Sequence, residues 1–220
     1  MTTLNLLKLR FDLPIQHREL QAFKAAFLQG LKTQIFSLEQ YPLLQFKIWF
    51  QEGKFYPMLM VMGKKIATLH ELLKAEPPRI RFRNRVQRLK ISHCHSDQFP
   101  LRTDQGFHTY NLFKYQAFNQ LNYQRFQALP EGEERRRFVE MLLREHLEAF
   151  VRGVGWTPDP PIVVKKMVIL DEDIVSCPEY KSHCLDLRFR TNLWIPEHVG
   201  LGKRVSLGFG VLRLPRKKHS

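Results

Sequence analysis

With 220 residues, 44% of them hydrophobic and 25% charged, the chain is long enough for one large or two small globular domains. Its 17 Phe argue against disorder, and no apolar run approaches the roughly 20 residues that cross a bilayer. The first residues also lack the features of a signal peptide. Three Cys give no disulfide framework and favour a reducing cytoplasm.

Charge is the most unusual property of the sequence. Lys and Arg number 35 against 21 Asp and Glu, a net charge of +14. Residues 1–103 carry 17 basic and 7 acidic side chains, whereas residues 104–220 carry 18 and 14. Such an excess favours a polyanionic partner, because neutralising phosphates releases condensed counterions. The alternative is a charge that serves solubility or weak binding to a membrane surface, but the basic residues do not gather on one helix, which disfavours an amphipathic membrane helix. We therefore expect nucleic acid.

The first half of the chain predicts the order strand, helix, strand, strand, helix, strand. Leu20, Phe23, Phe27 and Leu31 recur at three- and four-residue spacing, which is typical of an amphipathic helix. The Gly-containing segment 51–54 predicts a hairpin turn. This order is that of the ferredoxin-like fold. The predicted elements lie at residues 4–11, 17–31, 42–50, 55–62, 66–74 and 79–92.

The second half predicts another cycle after a linker at 97–106, which contains Pro100 and Gly106. Acidic residues after Pro130 suit the positive end of a long helix. The elements are expected at residues 109–115, 117–126, 130–153, 162–170, 183–190 and 208–214. We therefore predict an α+β fold of two tandem ferredoxin-like (RRM-like βαββαβ) domains, residues 1–103 and 104–220.

A basic segment in the first half is a candidate RNA-binding strand. Arginines occupy every second position from 79 to 85, and alternate side chains of a strand share one face. Aligned guanidinium groups would bind phosphates, although a merely solvated basic face is the alternative. The predicted RNA-binding arginines are Arg79, Arg81, Arg83, Arg85 and Arg88.

A glycine cluster near the C-terminus, GLGKRVSLGFG at 200–210, is the second candidate. It does not fit a dinucleotide-binding loop, because Val205 stands where the third glycine is required. Lys203 also lacks the neighbouring Ser or Thr of a nucleotide-triphosphate loop. What remains is a turn whose backbone amides can approach phosphate, or a tight turn before a terminal strand. The predicted RNA-binding residues are Gly200, Gly202, Lys203, Arg204, Gly208 and Gly210.

This cluster carries a family resemblance. TNLWIP at 191–196 followed by the glycine cluster resembles the signature of the CRISPR-associated endoribonucleases of the RAMP superfamily (the sixth Cas protein family), which process precursor guide RNA. YQAFNQLNY at 115–123 is similar to the family's aromatic strand and Asn-rich helix start, and YPLLQFK at 41–47 is similar to its tyrosine–proline strand. The match is good over 110–214 and looser over 5–50.

The resemblance implies two ferredoxin-like domains, in agreement with the predicted strand order. It also implies metal-independent cleavage of precursor crRNA at the CRISPR repeat. In this reaction a 2′-hydroxyl attacks the adjacent phosphate and leaves a 2′,3′-cyclic phosphate. The chemistry needs a base, a cation or donor for the developing charge, and an acid for the leaving oxygen. Repeat RNA is therefore the expected partner, other CRISPR effector proteins and a second copy of the chain are further candidates, and no cofactor or metal is expected.

The sequence departs from the family pattern where a histidine is often found. The segment 34–40 is short and contains none. By the resemblance Tyr41 is carried over by position, and His17 is the nearest histidine in sequence, with Lys47 as a source of positive charge. The predicted catalytic residues are therefore Tyr41, His17 and Lys47, although a packing role for His17 is equally compatible with the sequence.

Two alternatives stay open. The missing histidine is also compatible with a non-catalytic crRNA-binding RAMP subunit of a CRISPR effector complex, and the charge alone is compatible with a general single-strand RNA binder.

His93 and His95 flank Cys94 at a spacing that can hold zinc, but no Cys-x-x-Cys pair accompanies them. We therefore predict no metal site.

Overall fold

In the computed structural model, residues 2–31, 42–75, 78–177 and 180–215 are described. They form two compact units. The N-terminal unit comprises Thr3–Phe99 and Ser206–Gly208. The C-terminal unit comprises Pro100–Val205, together with Thr2 and the described residues from Phe209 onward. The boundary predicted from the sequence, between residues 103 and 104, falls inside a strand whose residues from Pro100 onward belong to the C-terminal unit.

From its start to the second helix, the N-terminal unit has the predicted order of strands and helices. Its sheet has the order β2-β3-β1-β6, as in a ferredoxin-like fold. The turn at Glu52 and Gly53, both with positive φ, confirms the predicted hairpin. The elements are β1 (Thr2–Phe11), α1 (Leu20–Gly30), β2 (Leu44–Gln51), β3 (Lys54–Met62), α2 (Lys65–Ala75), β4 (Arg79–Phe82), β5 (Arg85–Arg88) and the first part of β6 (Ile91–Tyr115).

Phenylalanine rings form the centre of this unit. Phe23 and Phe27 from α1 pack on Phe11 of β1 and Phe46 of β2, with ring centroids 5.2–6.2 Å apart and all four side chains fully buried. Burial of aromatic side chains is the dominant stabilising contribution at such contacts. The helical spacing of apolar residues in the sequence therefore predicted the buried face of α1 correctly.

The predicted strand over 79–92 is wrong, because the chain turns back in its middle. Arg83 and Asn84 have φ of 51° and 60°, and β4 pairs antiparallel with β5 across this turn. Two consecutive residues with positive φ are characteristic of a tight hairpin turn, and Asn adopts that conformation more readily than most residues. Arg83 is held there by two hydrogen bonds to Glu19, of 2.8 and 2.5 Å.

The predicted linker over 97–106 is also wrong, since these residues lie within β6. β6 provides the fourth strand of the N-terminal unit and continues into the C-terminal unit, where it pairs with β8 and β9. Pro100 and Gly106 are thus accommodated inside a strand. Sheet pairing of the surrounding residues outweighs the local preference of Pro and Gly for turns.

The C-terminal unit repeats the ferredoxin-like strand order, β9-β6-β8-β7. Helix α4 packs through six buried residues, Val139, Leu142, Leu143, Leu147, Phe150 and Val151. After β8 the chain forms a glycine-rich segment with a 3₁₀ turn at Val205–Leu207 in place of a second helix. The remaining elements are α3 (Gln120–Ala128), α4 (Glu133–Gly153), β7 (Val164–Cys177), β8 (Tyr180–Trp194) and β9 (Val211–Arg213). Among the described residues, no helix is long and apolar enough to cross a membrane.

The ion pair between Glu19 and Arg83 makes a testable contribution to stability. The hydrogen bond from Arg83 lowers the pKa of Glu19 to about 2, so the stabilisation is complete above the unfolded-state pKa and is lost as the pH falls towards 2. Because Arg83 is half exposed, screening limits the effect. We expect Glu19→Gln to lower the free energy of unfolding by about 1 kcal/mol at pH 7.

Urea denaturation at several pH values measures this effect. The difference between the wild type and Glu19→Gln should shrink between pH 4.5 and pH 2. Asp97→Asn, which changes an exposed carboxylate on β6, is the matched control and should change stability by less than about 0.5 kcal/mol. Equal stability of Glu19→Gln and the wild type at pH 7 would contradict a role for this ion pair at the turn.

Candidate nucleic-acid interface

The glycine-rich segment, residues 200–210, lies against the end of β6 through backbone hydrogen bonds. Lys203 N–H donates to Gln116 O over 2.9 Å, and Gly210 N–H donates to Lys114 O over 3.0 Å. Within the segment, Leu201 N–H donates to Gly210 O over 2.8 Å. Gly200 forms an isolated bridge with Val211. The segment is therefore an ordered loop fixed at both ends.

Two of its glycines are required by close backbone approach. At Gly202, where φ is 92°, a Cβ atom would lie 2.7 Å from the Tyr115 ring and 2.8 Å from Gln116 O. At Gly210, where φ is 61°, it would lie 1.8 Å from Leu201 O. Gly208, at φ 88°, belongs to the N-terminal unit, where its Cβ would meet Leu20 at 3.1 Å. Packing and turn conformation thus account for these three glycines.

The cationic residues of the segment are exposed. Lys203 and Arg204 both reach solvent, and Arg204 donates a 3.3 Å hydrogen bond to Oε1 of the buried Gln116. Since the backbone N–H of Lys203 is also bonded to Gln116, the residue after β6 holds both the backbone of Lys203 and the side chain of Arg204. The sequence predicted this pair of cations but not the anchoring role of Gln116, which no motif signals.

A hydrogen bond from the buried Tyr115 to the partly buried His146 lies beneath the same strand end. The hydroxyl of Tyr115 lies 2.6 Å from Nδ1 of His146 on α4. Burial, with a smaller contribution from nearby Lys203, lowers the pKa of His146 to about 4. The imidazole is therefore neutral at pH 7, and its Nδ1 accepts the hydrogen bond from the hydroxyl. No motif in the sequence signals this contact between β6 and α4.

The arginine hairpin, residues 79–88, presents fewer aligned cations than predicted. Cross-strand partners project from the same face of a sheet. Arg79 pairs with Arg88, and Arg81 pairs with the exposed Val86, so three arginines share one exposed face. Arg85 pairs with the buried Phe82 and therefore belongs to the opposite face. The predicted line of Arg79, Arg81, Arg83 and Arg85 is replaced by the group Arg79, Arg81 and Arg88, with Arg83 bonded to Glu19.

The predicted catalytic residues lie in different environments. Tyr41 is outside the described residues. His17 is exposed at the start of a 3₁₀ turn, with its ring 6.2 Å edge-on from Phe55. Lys47 lies on β2, is only 2% exposed, and burial lowers its pKa to about 7. Lys47 is thus a buried amine that titrates near neutral pH rather than a surface cation.

The histidines considered for zinc do not assemble into a site. His93 and His95 are exposed and stacked 6.4 Å apart on β6. Two other histidines are paired with carboxylates: His108 Nε2 lies 2.7 Å from Asp104 Oδ2, and His183 Nε2 lies 3.2 Å from Glu172 Oε2. Over the ranges that the structure describes, no group of three His, Cys, Asp or Glu side chains could hold a metal ion.

The close approach at Gly210 predicts a large loss of stability on adding a methyl group. Gly210→Ala should lower the free energy of unfolding by about 3 kcal/mol or more, because the backbone carbonyl of Leu201 occupies the space and φ is positive. Gly106→Ala, which meets nothing within 4 Å, should change it by less than about 0.5 kcal/mol. Thermal or urea denaturation of both variants checks this, and equal stabilities would contradict the observed packing.

Both the sequence and the fold are similar to those of known proteins. A family model described as the Cas6b C-terminal domain matches residues 102–214, and no curated protein gives a significant match. A crystal structure of Cas6b is 19% identical, with a TM-score of 0.81, and covers 97% of this chain and 100% of its own. A crystal structure of the CRISPR RNA processing endoribonuclease Cas6b is 20% identical, with a TM-score of 0.73 and the same coverage.

A Cas6 product complex is 15% identical, with a TM-score of 0.56, and covers 98% of this chain and 100% of its own. These similarities confirm the predicted tandem ferredoxin-like fold over nearly the whole chain. The family model, which covers more than half of the sequence, confirms the resemblance read from the glycine-rich segment. The protein therefore belongs to the Cas6b family.

Proposed function

We propose that the protein is a metal-independent endoribonuclease that binds CRISPR repeat RNA and cleaves precursor crRNA. The observation that carries this proposal is the ordered glycine-rich segment of a Cas6b family member, with Lys203 and Arg204 exposed beside backbone amides. One relative with the same fold is described as a CRISPR RNA processing endoribonuclease. The net charge of +14 supports a polyanionic substrate.

Two groups of cations are proposed to bind the RNA backbone. In the C-terminal unit, Lys203 and Arg204 would contact phosphates directly, since their charged side chains are exposed on an ordered loop. In the N-terminal unit, the shared face of Arg79, Arg81 and Arg88 would bind further phosphates. Phosphate contacts of this kind hold the RNA in register without reading its sequence.

The proposed reaction is attack of a 2′-hydroxyl on the adjacent phosphate. The new O–P bond closes a 2′,3′-cyclic phosphate, and the broken P–O bond releases a 5′-hydroxyl that takes up a proton. Tyr41, His17 and Lys47 are the proposed groups for proton transfer and charge stabilisation. A pKa of about 7 suits Lys47 to hold or release a proton at neutral pH.

A second function is favoured by two observations. Lys47 is only 2% exposed, and the segment 34–40 contains no histidine, so the chain could instead be a non-catalytic crRNA-binding subunit of a CRISPR effector complex. Such a subunit would bind the processed RNA tightly and would not turn it over.

Incubation of the protein with repeat RNA in EDTA tests the enzyme directly. We expect a cyclic-phosphate product, and Tyr41→Phe, His17→Ala and Lys47→Met should each slow single-turnover cleavage, by about 100-fold for a residue that transfers a proton. Tyr56→Phe and His70→Ala replace the same residue types elsewhere in the N-terminal unit and should cleave normally. Binding without any cleavage would contradict the enzyme and favour the effector subunit.

The salt dependence of binding tests the arginine hairpin. Arg79→Ala, Arg81→Ala and Arg88→Ala should each weaken binding and reduce the slope of log K against log salt by about one. Arg83→Ala is the matched control: its guanidinium is bonded to Glu19, so the variant should lose stability and keep the slope. Unchanged slopes in the first three variants would exclude this face from the interface.

A further inference from the structure

A cavity of about 650 Å³ lies in the C-terminal unit, between the start of α3 and the β7–β8 hairpin. Three rings, Phe118, Tyr123 and His183, line it, with centroids 5.3–5.8 Å apart. Its volume is in the range typical of small-molecule sites. We call this cavity the aromatic pocket.

Polar and cationic groups line the same cavity. Lys203 and Arg204, the exposed cations of the glycine-rich segment, are part of its wall. Asn119 caps α3 by accepting the Asn122 N–H through Oδ1, so its amide NH₂ remains able to donate. Ser182 adds a hydroxyl from β8. The cavity therefore combines apolar ring faces, amide and hydroxyl groups, and two positive charges.

This combination fits a nucleotide better than other ligands. A nucleobase has two π-faces that stack on aromatic side chains, and edges that hydrogen-bond to amides and hydroxyls. Its phosphate would be neutralised by Lys203 and Arg204. A paired helix could not use the pocket, because its bases are stacked inside the duplex and only an unstacked base can enter.

We infer that the aromatic pocket binds one unstacked nucleobase of a single-stranded RNA segment, while Lys203 and Arg204 contact the adjoining phosphate. That the base belongs to an RNA strand rests on the proposed function. The Glu172 carboxylate, 3.2 Å from His183 Nε2, holds the His183 ring in the wall of the pocket. The pocket gives the protein a contact that depends on a base, in addition to the sequence-independent phosphate contacts.

A variant that fills the cavity tests the inference without deleting a ring. Ser182→Tyr places an aromatic side chain in the pocket. Val168→Tyr places the same side chain at a half-exposed position of β7 that does not line it and is the matched control. If Ser182→Tyr does not fold, Gln120→Trp blocks the pocket from an exposed position at the start of α3.

The first measurement is calorimetric titration of the full chain with AMP, CMP, GMP and UMP. Saturable binding of at least one nucleotide, lost in Ser182→Tyr and kept in Val168→Tyr, is expected. Either the absence of saturable binding or equal binding by Ser182→Tyr would overturn the inference that the aromatic pocket binds a nucleobase. This measurement does not depend on cleavage or on the repeat sequence.

The second measurement uses repeat RNAs that carry one abasic site at successive positions. One position should bind the wild type about tenfold more weakly, because stacking of that base is lost, and should make no difference to Ser182→Tyr. Equal effects of every abasic site on both proteins would overturn the inference. If the wild type binds no repeat RNA at all, the proposed function fails. The nucleotide titration alone then tests whether the aromatic pocket binds a nucleobase.

Discussion

The candidate nucleic-acid interface depends on the close approach of the glycine-rich segment to the end of β6. Lys203 N–H bonds to Gln116 O, Gly210 N–H bonds to Lys114 O, and at Gly202 the backbone lies directly against the Tyr115 ring. A side chain at Gly202 or Gly210 would force the segment away from the strand. These short contacts therefore fix the position from which the two following cations, Lys203 and Arg204, reach solvent.

The same strand end connects the interior of the C-terminal unit with its charged surface. Tyr115 bonds to His146 in the interior, and the next residue, Gln116, bonds to the backbone of Lys203 and to the side chain of Arg204. A fully buried anchor limits the movement of the groups attached to it, which favours binding because less conformational freedom is lost. The two cations also line the aromatic pocket, so phosphate and base contacts would share one rigid support.

The sequence predicted those features that depend on local pattern. The spacing of Phe23 and Phe27 indicated the buried face of α1, and the glycine cluster indicated a turn before the terminal strand. It did not predict the turn at Arg83 and Asn84, because regular alternation of arginines is equally typical of a strand. It missed the strand at Pro100, where sheet pairing outweighs local preference. The burial of Lys47 depends on both faces of β2 being covered, which residue order does not reveal.

The central claim is that the glycine-rich segment contacts RNA phosphates, and amide hydrogen exchange with and without bound repeat RNA tests it most directly. If the segment contacts RNA phosphates, its amides at residues 200–210 should exchange more slowly in EDTA when RNA is bound. Exchange at the β2–β3 turn, residues 51–54, should not change and serves as the internal reference. Slower exchange confined to other parts of the chain, with residues 200–210 unchanged while the RNA is fully bound, would contradict it.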